Sequence, residues 1–123
     1  MMTSKKILII DDNKILHDLF KDFFQNMGYQ AETADDGCEG IEKYCALKPD
    51  IVLMDIHMPV MNGYESSMGI KFFDPKAKIL MITGFSHDPL AEKSLNEGHV
   101  LSVLNKPCSL QNLFNKVSST LSA

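Results

Sequence analysis

Residues 50–65 read DIVLMDIHMPVMNGYE. Asp50 opens a continuous apolar run, Ile51 to Met54, which stops at a second carboxylate, Asp55. A short apolar run without polar alternation is the pattern of a strand buried on both faces. The chain then breaks direction at Met58-Pro59, and Asn62-Gly63 predicts the start of a helix near Asn62.

Both flanks repeat the theme. Upstream, KILII (6–10) is a second such strand, and YQAETA (29–34) a weaker one. Downstream, AKILMIT (77–83) and VLSVL (100–104) are two more. Helical spacing fills the gaps. Leu16, Leu19, Phe20, Phe23, Phe24 and Met27 form one stripe, stopped by Gly28. Asp36 caps a helix through Ile41, Tyr44 and Leu47, closed by Pro49. In the helix after Asn62, Tyr64, Met68 and Phe72 share a face, weakened by Ser66, Ser67 and Gly69. Asp88 and Pro89 open a fourth helix, as N-cap and first residue, that ends near Gly98. Ser109 caps the last, with Leu110, Leu113, Phe114, Val117 and Leu121 on one side. Five strands alternating with five helices imply one doubly wound α/β domain over residues 1–123. Its parallel sheet is covered on both faces by right-handed crossovers. In such sheets ligands bind beyond the carboxyl ends of the strands, where strand order reverses.

Composition narrows the function. Hydrophobic residues at 45% and charged residues at 23% are ordinary for a globular domain. The formal net charge of −4 argues against direct nucleic-acid binding, which needs clustered cations. No apolar run reaches the length of a membrane span. The first apolar stretch ends at once in Asp11 and Asp12 without a cleavage site, so a cytoplasmic location is expected. Cys38, Cys45 and Cys108 show no metal spacing and read as reduced thiols.

The polar residues at the strand ends carry the chemistry. Asp11 and Asp12 follow the first strand, Asp55 ends the third, Thr83 ends the fourth and Lys106 follows the fifth. Each alone has a plain structural reading: a helix cap for Asp11 or Asp12, a turn residue for Asp55, a strand-end threonine, a solvated lysine. Together they place three carboxylates at one edge, which repel unless a cation neutralises them. Hard oxygen donors favour Mg²⁺, or Mn²⁺, over zinc. A carboxylate can attack phosphorus to form an acyl phosphate. The transferring group then needs its oxygens neutralised, which the metal, Lys106 and Thr83 can supply.

The segments KILIIDDN, DIVLMDIHMPVMNGYE, ILMITG and LNKP resemble the receiver domain of two-component response regulators, the CheY-like family, over essentially the whole chain. The resemblance implies a flavodoxin-like (βα)5 fold with strand order 2-1-3-4-5. It implies Asp55 as phosphoacceptor, Asp11, Asp12, Asp55 and the His57 backbone carbonyl as metal ligands, Thr83 as switch hydroxyl and Lys106 as the phosphoryl-binding lysine. It implies a cis Lys106–Pro107 bond, and a phosphohistidine on a sensor kinase or phosphotransfer protein as donor. The expected behaviour is that of a conformational switch with slow self-dephosphorylation, not a turnover enzyme. Output would pass to a protein target or a linked output domain, with a phosphorylation-dependent dimer as one option. The chain fits a stand-alone regulator and the receiver of a longer one equally.

Departures from the family pattern bear on mechanism. Val103 stands where an output aromatic is common, Gly84 where Ala is common, and the loop before the fifth strand carries one extra residue. Phe85 either shields the phosphoryl group from water or packs on the fourth helix. The His57 side chain is expected at the site rim, facing solvent, and His17, His87 and His99 show no ligand spacing. The alternatives are a phosphorylation-independent docking module and a phosphohydrolase. The second needs an Asp-x-Asp after the first strand, where this chain has Asp11-Asp12-Asn13-Lys14. A flavodoxin-like electron carrier needs a phosphate cradle there, which acidic residues preclude.

Overall fold

The computed structural model describes residues 4–122, so the outermost ends of the expected 1–123 domain lie outside the described residues. Ten elements alternate without exception: β1 (Lys6–Ile10), α1 (Lys14–Asn26), β2 (Gln30–Ala34), α2 (Gly37–Leu47), β3 (Ile51–Asp55), α3 (Gly63–Phe73), β4 (Ile79–Thr83), α4 (Pro89–Asn96), β5 (Ser102–Asn105) and α5 (Leu110–Ser122). The strands form one parallel sheet in the order β2-β1-β3-β4-β5. This is the expected doubly wound, flavodoxin-like sheet.

Alternation along each strand divides the core in two. Leu8, Ile10, Val52, Met54, Ile79 and Met81 face α2, α3 and α4. Ile7, Ile9, Ile51, Leu53, Leu80 and Ile82 face α1 and α5, meeting Phe20, Phe24, Leu113 and Val117. The continuous apolar runs of β1, β3 and β4 therefore serve both layers. Each fully buried Leu or Ile side chain contributes about 1.5–3 kcal/mol of transfer free energy. Tyr44 donates to Asp74 Oδ2 at 2.7 Å, tying α2 to the residue that ends α3.

The helix starts follow their caps. Asp36, Asn62 and Asp88 accept from Glu39, Glu65 and Leu90 backbone N–H groups, and Asn62 with Glu65 completes a capping box. Ser109 Oγ accepts from Asn112 N at 3.0 Å at the start of α5. For α1 the cap is Asn13, not Asp11 or Asp12. The amide takes the cap position, and both carboxylates remain beyond the strand end.

Two expectations need correction. The apolar stripe on α3 does not face the core: Phe72 is 92% and Met68 42% exposed. The buried face is Gly63, Ser66, Ser67 and Ile70: small residues stand where the first two turns of α3 run close to their neighbours, and Ile70 fills the core beyond them. A Cβ on Gly63 would collide with the Asp55 backbone oxygen, and Ser66 Oγ donates to Gly37 O at 2.9 Å. The fifth strand spans Ser102–Asn105 rather than 100–104. Val100 is buried, but it lies before the ladder, in a bend after Gly98, whose φ is +78°.

Candidate functional site

The reversal of strand order lies between β1 and β3, whose neighbours run outward in opposite directions. Ile10 pairs with Met54, so Asp11 and Asp55 leave adjacent strands at the same level. Asp55 is level with Ile82 on β4, and Thr83 with Asn105 on β5, which brings Lys106 to the same edge. Its backbone N–H donates to Thr83 O at 2.7 Å. The Lys106–Pro107 peptide bond is cis.

Four of the five residues expected at the strand ends meet there. Asp11, Asp12 and Asp55 each present a carboxylate oxygen within 4.8 Å of the others'. Lys106 Nζ lies 3.2 Å from Asp55 Oδ1 and 3.8 Å from Asp11 Oδ2. Asp11 is 3% and Asp55 8% exposed, while Asp12 is open to solvent. Burial pushes the Asp55 carboxyl above the usual carboxylate range, and Asp11 adds to the effect against the opposing pull of Lys106. Burial raises Asp11 likewise, opposed by the Asn13 N–H and Lys106. Among the described residues three carboxylates face one ammonium, so the cluster is short of positive charge. Unit charges 4 Å apart near a protein surface interact by roughly 4 kcal/mol. A hard divalent cation fits this donor set and this deficit.

Thr83 is buried, but its hydroxyl is turned elsewhere. Oγ1 donates to Asp88 Oδ2 at 2.6 Å and accepts from Phe85 N at 3.2 Å. His57 Nε2 reaches the same Asp88 oxygen at 2.6 Å. The His57 side chain, expected to face solvent, is half exposed but turns Nε2 inward to this buried carboxylate, with its ring edge-on to Phe85 at 5.0 Å between centroids. Phe85 itself is 60% exposed. Burial would raise the Asp88 carboxyl, but the Thr83, His57 and Leu90 donors outweigh it and hold it below the usual range. Val103 borders a cleft of about 250 Å³ with Thr83, Phe85, Asp88, Ala91 and Leu95.

Two residues here were given no role in the site by sequence reading. Asp88 reads as a helix cap, with nothing to say that its second oxygen serves Thr83. His17 has no ligand spacing, yet it is buried and its Nδ1 donates to Asp11 O at 3.1 Å, fixing the loop that carries the acidic pair. Its place one turn into α1, facing back toward the strand end, is the signal that could have found it.

Comparison with known proteins gives a consistent result. The response regulator receiver domain family matches residues 7–118. A chemotaxis protein CheY of Thermotoga maritima is 36% identical over 117 residues, covering 93% of this chain and 98% of that protein. A CheY-like receiver domain protein from Methanospirillum hungatei superposes with a TM-score of 0.92 at 30% identity, over 98% of this chain and 95% of that one. The CheY of a CheX–CheY–BeF3–Mg²⁺ complex from Borrelia burgdorferi superposes with a TM-score of 0.87 at 29% identity, over 94% and 88% of the two chains. Among the described residues no helix is long and apolar enough to cross a membrane.

Proposed function

The chain belongs to the response regulator receiver domain family, and from that premise we propose that Asp55 accepts a phosphoryl group and that the domain acts as a switch between two conformations. The observation that carries this reading is the meeting of Asp11, Asp12 and Asp55 with Lys106 at the reversal point of the sheet.

An Asp55 oxygen forms the new O–P bond while the P–N bond of a phosphohistidine donor breaks, its electron pair leaving on the imidazole. Asp11, Asp12, Asp55 and the His57 backbone carbonyl would hold Mg²⁺ or Mn²⁺, which supplies charge neutralisation for the phosphoryl oxygens. Lys106 Nζ, already within reach of Asp55, donates to a second phosphoryl oxygen. The Thr83 hydroxyl is the donor for a third. The group stays on the protein, so the chain works as a switch and not as a turnover enzyme. Phosphorylation adds charge and strong acceptor oxygens, and these bias the loop from Gly84 to Asp88 and the start of α4. Phe85 and His57 stand at the rim, where they hinder water from reaching the acyl phosphate.

On this reading the donor is a sensor histidine kinase or a phosphotransfer protein. The output is a protein target or a linked domain, and the setting is the cytoplasm. The complex of the Borrelia CheY with CheX, BeF3 and Mg²⁺ supports a divalent metal and a protein partner.

Intact mass after incubation with acetyl phosphate tests the reading. One phosphoryl adduct is expected that requires Mg²⁺ and is absent in Asp55→Asn. No adduct, and no beryllofluoride binding, overturns it in favour of a phosphorylation-independent docking module.

A further inference from the structure

We propose that Asp88 is a latch for the switch hydroxyl: it holds the Thr83 proton away from Asp55 at rest and so sets how readily the domain accepts a phosphoryl group. The inference rests on the acceptor reading above and adds a positioning residue to it.

Asp88 is 4% exposed and uses both oxygens. Oδ1 accepts from Leu90 N at 3.0 Å, which is the N-cap of α4. Capping accounts for that oxygen alone. Oδ2 takes the Thr83 hydroxyl and His57 Nε2, each at 2.6 Å, and neither bond belongs to a cap. A threonine hydroxyl has one proton to give. While it goes to Asp88 it cannot go to an oxygen on Asp55. The Phe85 N–H on Thr83 Oγ1 favours the same orientation of the hydroxyl. Hydrogen bonds to a charged acceptor are short and stronger than neutral ones, as this one is.

The geometry also makes the latch reversible. When Thr83 turns away, Asp88 Oδ2 keeps His57 and Oδ1 keeps Leu90, so no buried carboxylate oxygen is left without a donor. The released hydroxyl and the first turn of α4 share one carboxylate, which links the phosphoryl site to the helix without an aromatic at Val103. A ligand that needs the unlatched state binds with an affinity reduced by the fraction of molecules in that state.

The test is calorimetric titration with beryllofluoride in saturating Mg²⁺. Asp88→Ser keeps a cap hydroxyl for Leu90 but is too short to hold Thr83 and His57 as well. It is expected to bind about tenfold more tightly than wild type, the weight of one charge-assisted hydrogen bond. Affinity for Mg²⁺ alone is expected to stay the same. In a Thr83→Ala background the gain from Asp88→Ser is expected to vanish, because the latch acts only through that hydroxyl. Asp88→Asn, which keeps shape and cap but not charge, is expected to give a smaller gain of the same sign, and it decides the matter if the serine variant does not fold. An unchanged or weaker affinity in the folded variant overturns the latch, as does a gain that persists without Thr83. Wild type that binds no beryllofluoride overturns the acceptor reading itself, and the latch with it.

Discussion

Lys106 Nζ lies 3.2 Å from Asp55 Oδ1 across a sequence separation of 51 residues, and the same nitrogen is 3.8 Å from Asp11 Oδ2. Among the described residues this ammonium is the cation set against the three-carboxylate cluster, and a metal ion would compete with it for the same oxygens.

Removing that ammonium makes the cluster more negative. Lys106→Met is expected to bind Mg²⁺ about tenfold more tightly, about 1.4 kcal/mol, a fraction of the Coulomb energy available at this distance. Its phosphorylation by acetyl phosphate is expected to slow at saturating Mg²⁺, since a donor to the phosphoryl oxygens is lost. Titration calorimetry reads the first effect and intact mass the second. Weaker Mg²⁺ binding would show that the lysine supports the metal site rather than competing with it.

Asp55 is nearly buried beside Asp11, and burial with like charge disfavours its ionised form. Asp55→Asn keeps the shape and an acceptor for Lys106 while removing the charge. In metal-free buffer at neutral pH the variant is expected to gain about 1 kcal/mol and about 3–5 °C in Tm. Mg²⁺ should raise the Tm of wild type more than that of the variant. A calorimetric scan of both proteins, with and without Mg²⁺, checks this.

The Tyr44 hydroxyl donates to Asp74 and, with the Lys76 N–H, holds its carboxyl below the usual range. A lowered folded value means that the unfolded chain binds the proton first as pH falls. The contribution is full above the ordinary value of about 4 and is lost as pH drops through the lowered one. Tyr44→Phe is expected to cost about 1 kcal/mol at pH 7 and less near pH 3. Urea unfolding at the two pH values measures the difference, and an equal cost at both would assign it to packing alone.

Phe85 sets its ring edge-on against His57, is 60% exposed, and lines the same cleft as Ala91 and Leu95 of α4, so shielding and packing are separated by its removal. Phe85→Ala is expected to shorten the lifetime of the acyl phosphate about threefold, a hindrance of about 0.7 kcal/mol in the barrier. Loss of the phosphoryl adduct after removal of acetyl phosphate is followed by intact mass. An unchanged lifetime removes Phe85 from the site.

The elements were legible because the physics that makes them is local. Ile51 to Met54 avoid water on both faces, and Asp55 marks where that requirement ends. The same holds for Ile10 before Asp11 and for Ile82 before Thr83, so the strand-end residues declared themselves as the points where apolar runs stop. With strands and helices alternating, the sequence also determined that these ends share one edge. Tertiary structure decided what happens beyond a single element. The α3 stripe of Met68 and Phe72 has helical spacing, but spacing cannot say which side a neighbour approaches; the close contact at Gly63 turned the helix over. Asn13 and Asp12 are both able cap residues, and only the path of the chain out of β1 chose between them. Thr83, Asp88 and His57 lie on three segments, and a hydroxyl with one proton commits it to whichever acceptor the packed side chains present. Pattern reports which residues leave water. Direction and distance between side chains on different segments arise only when the sheet fixes their register.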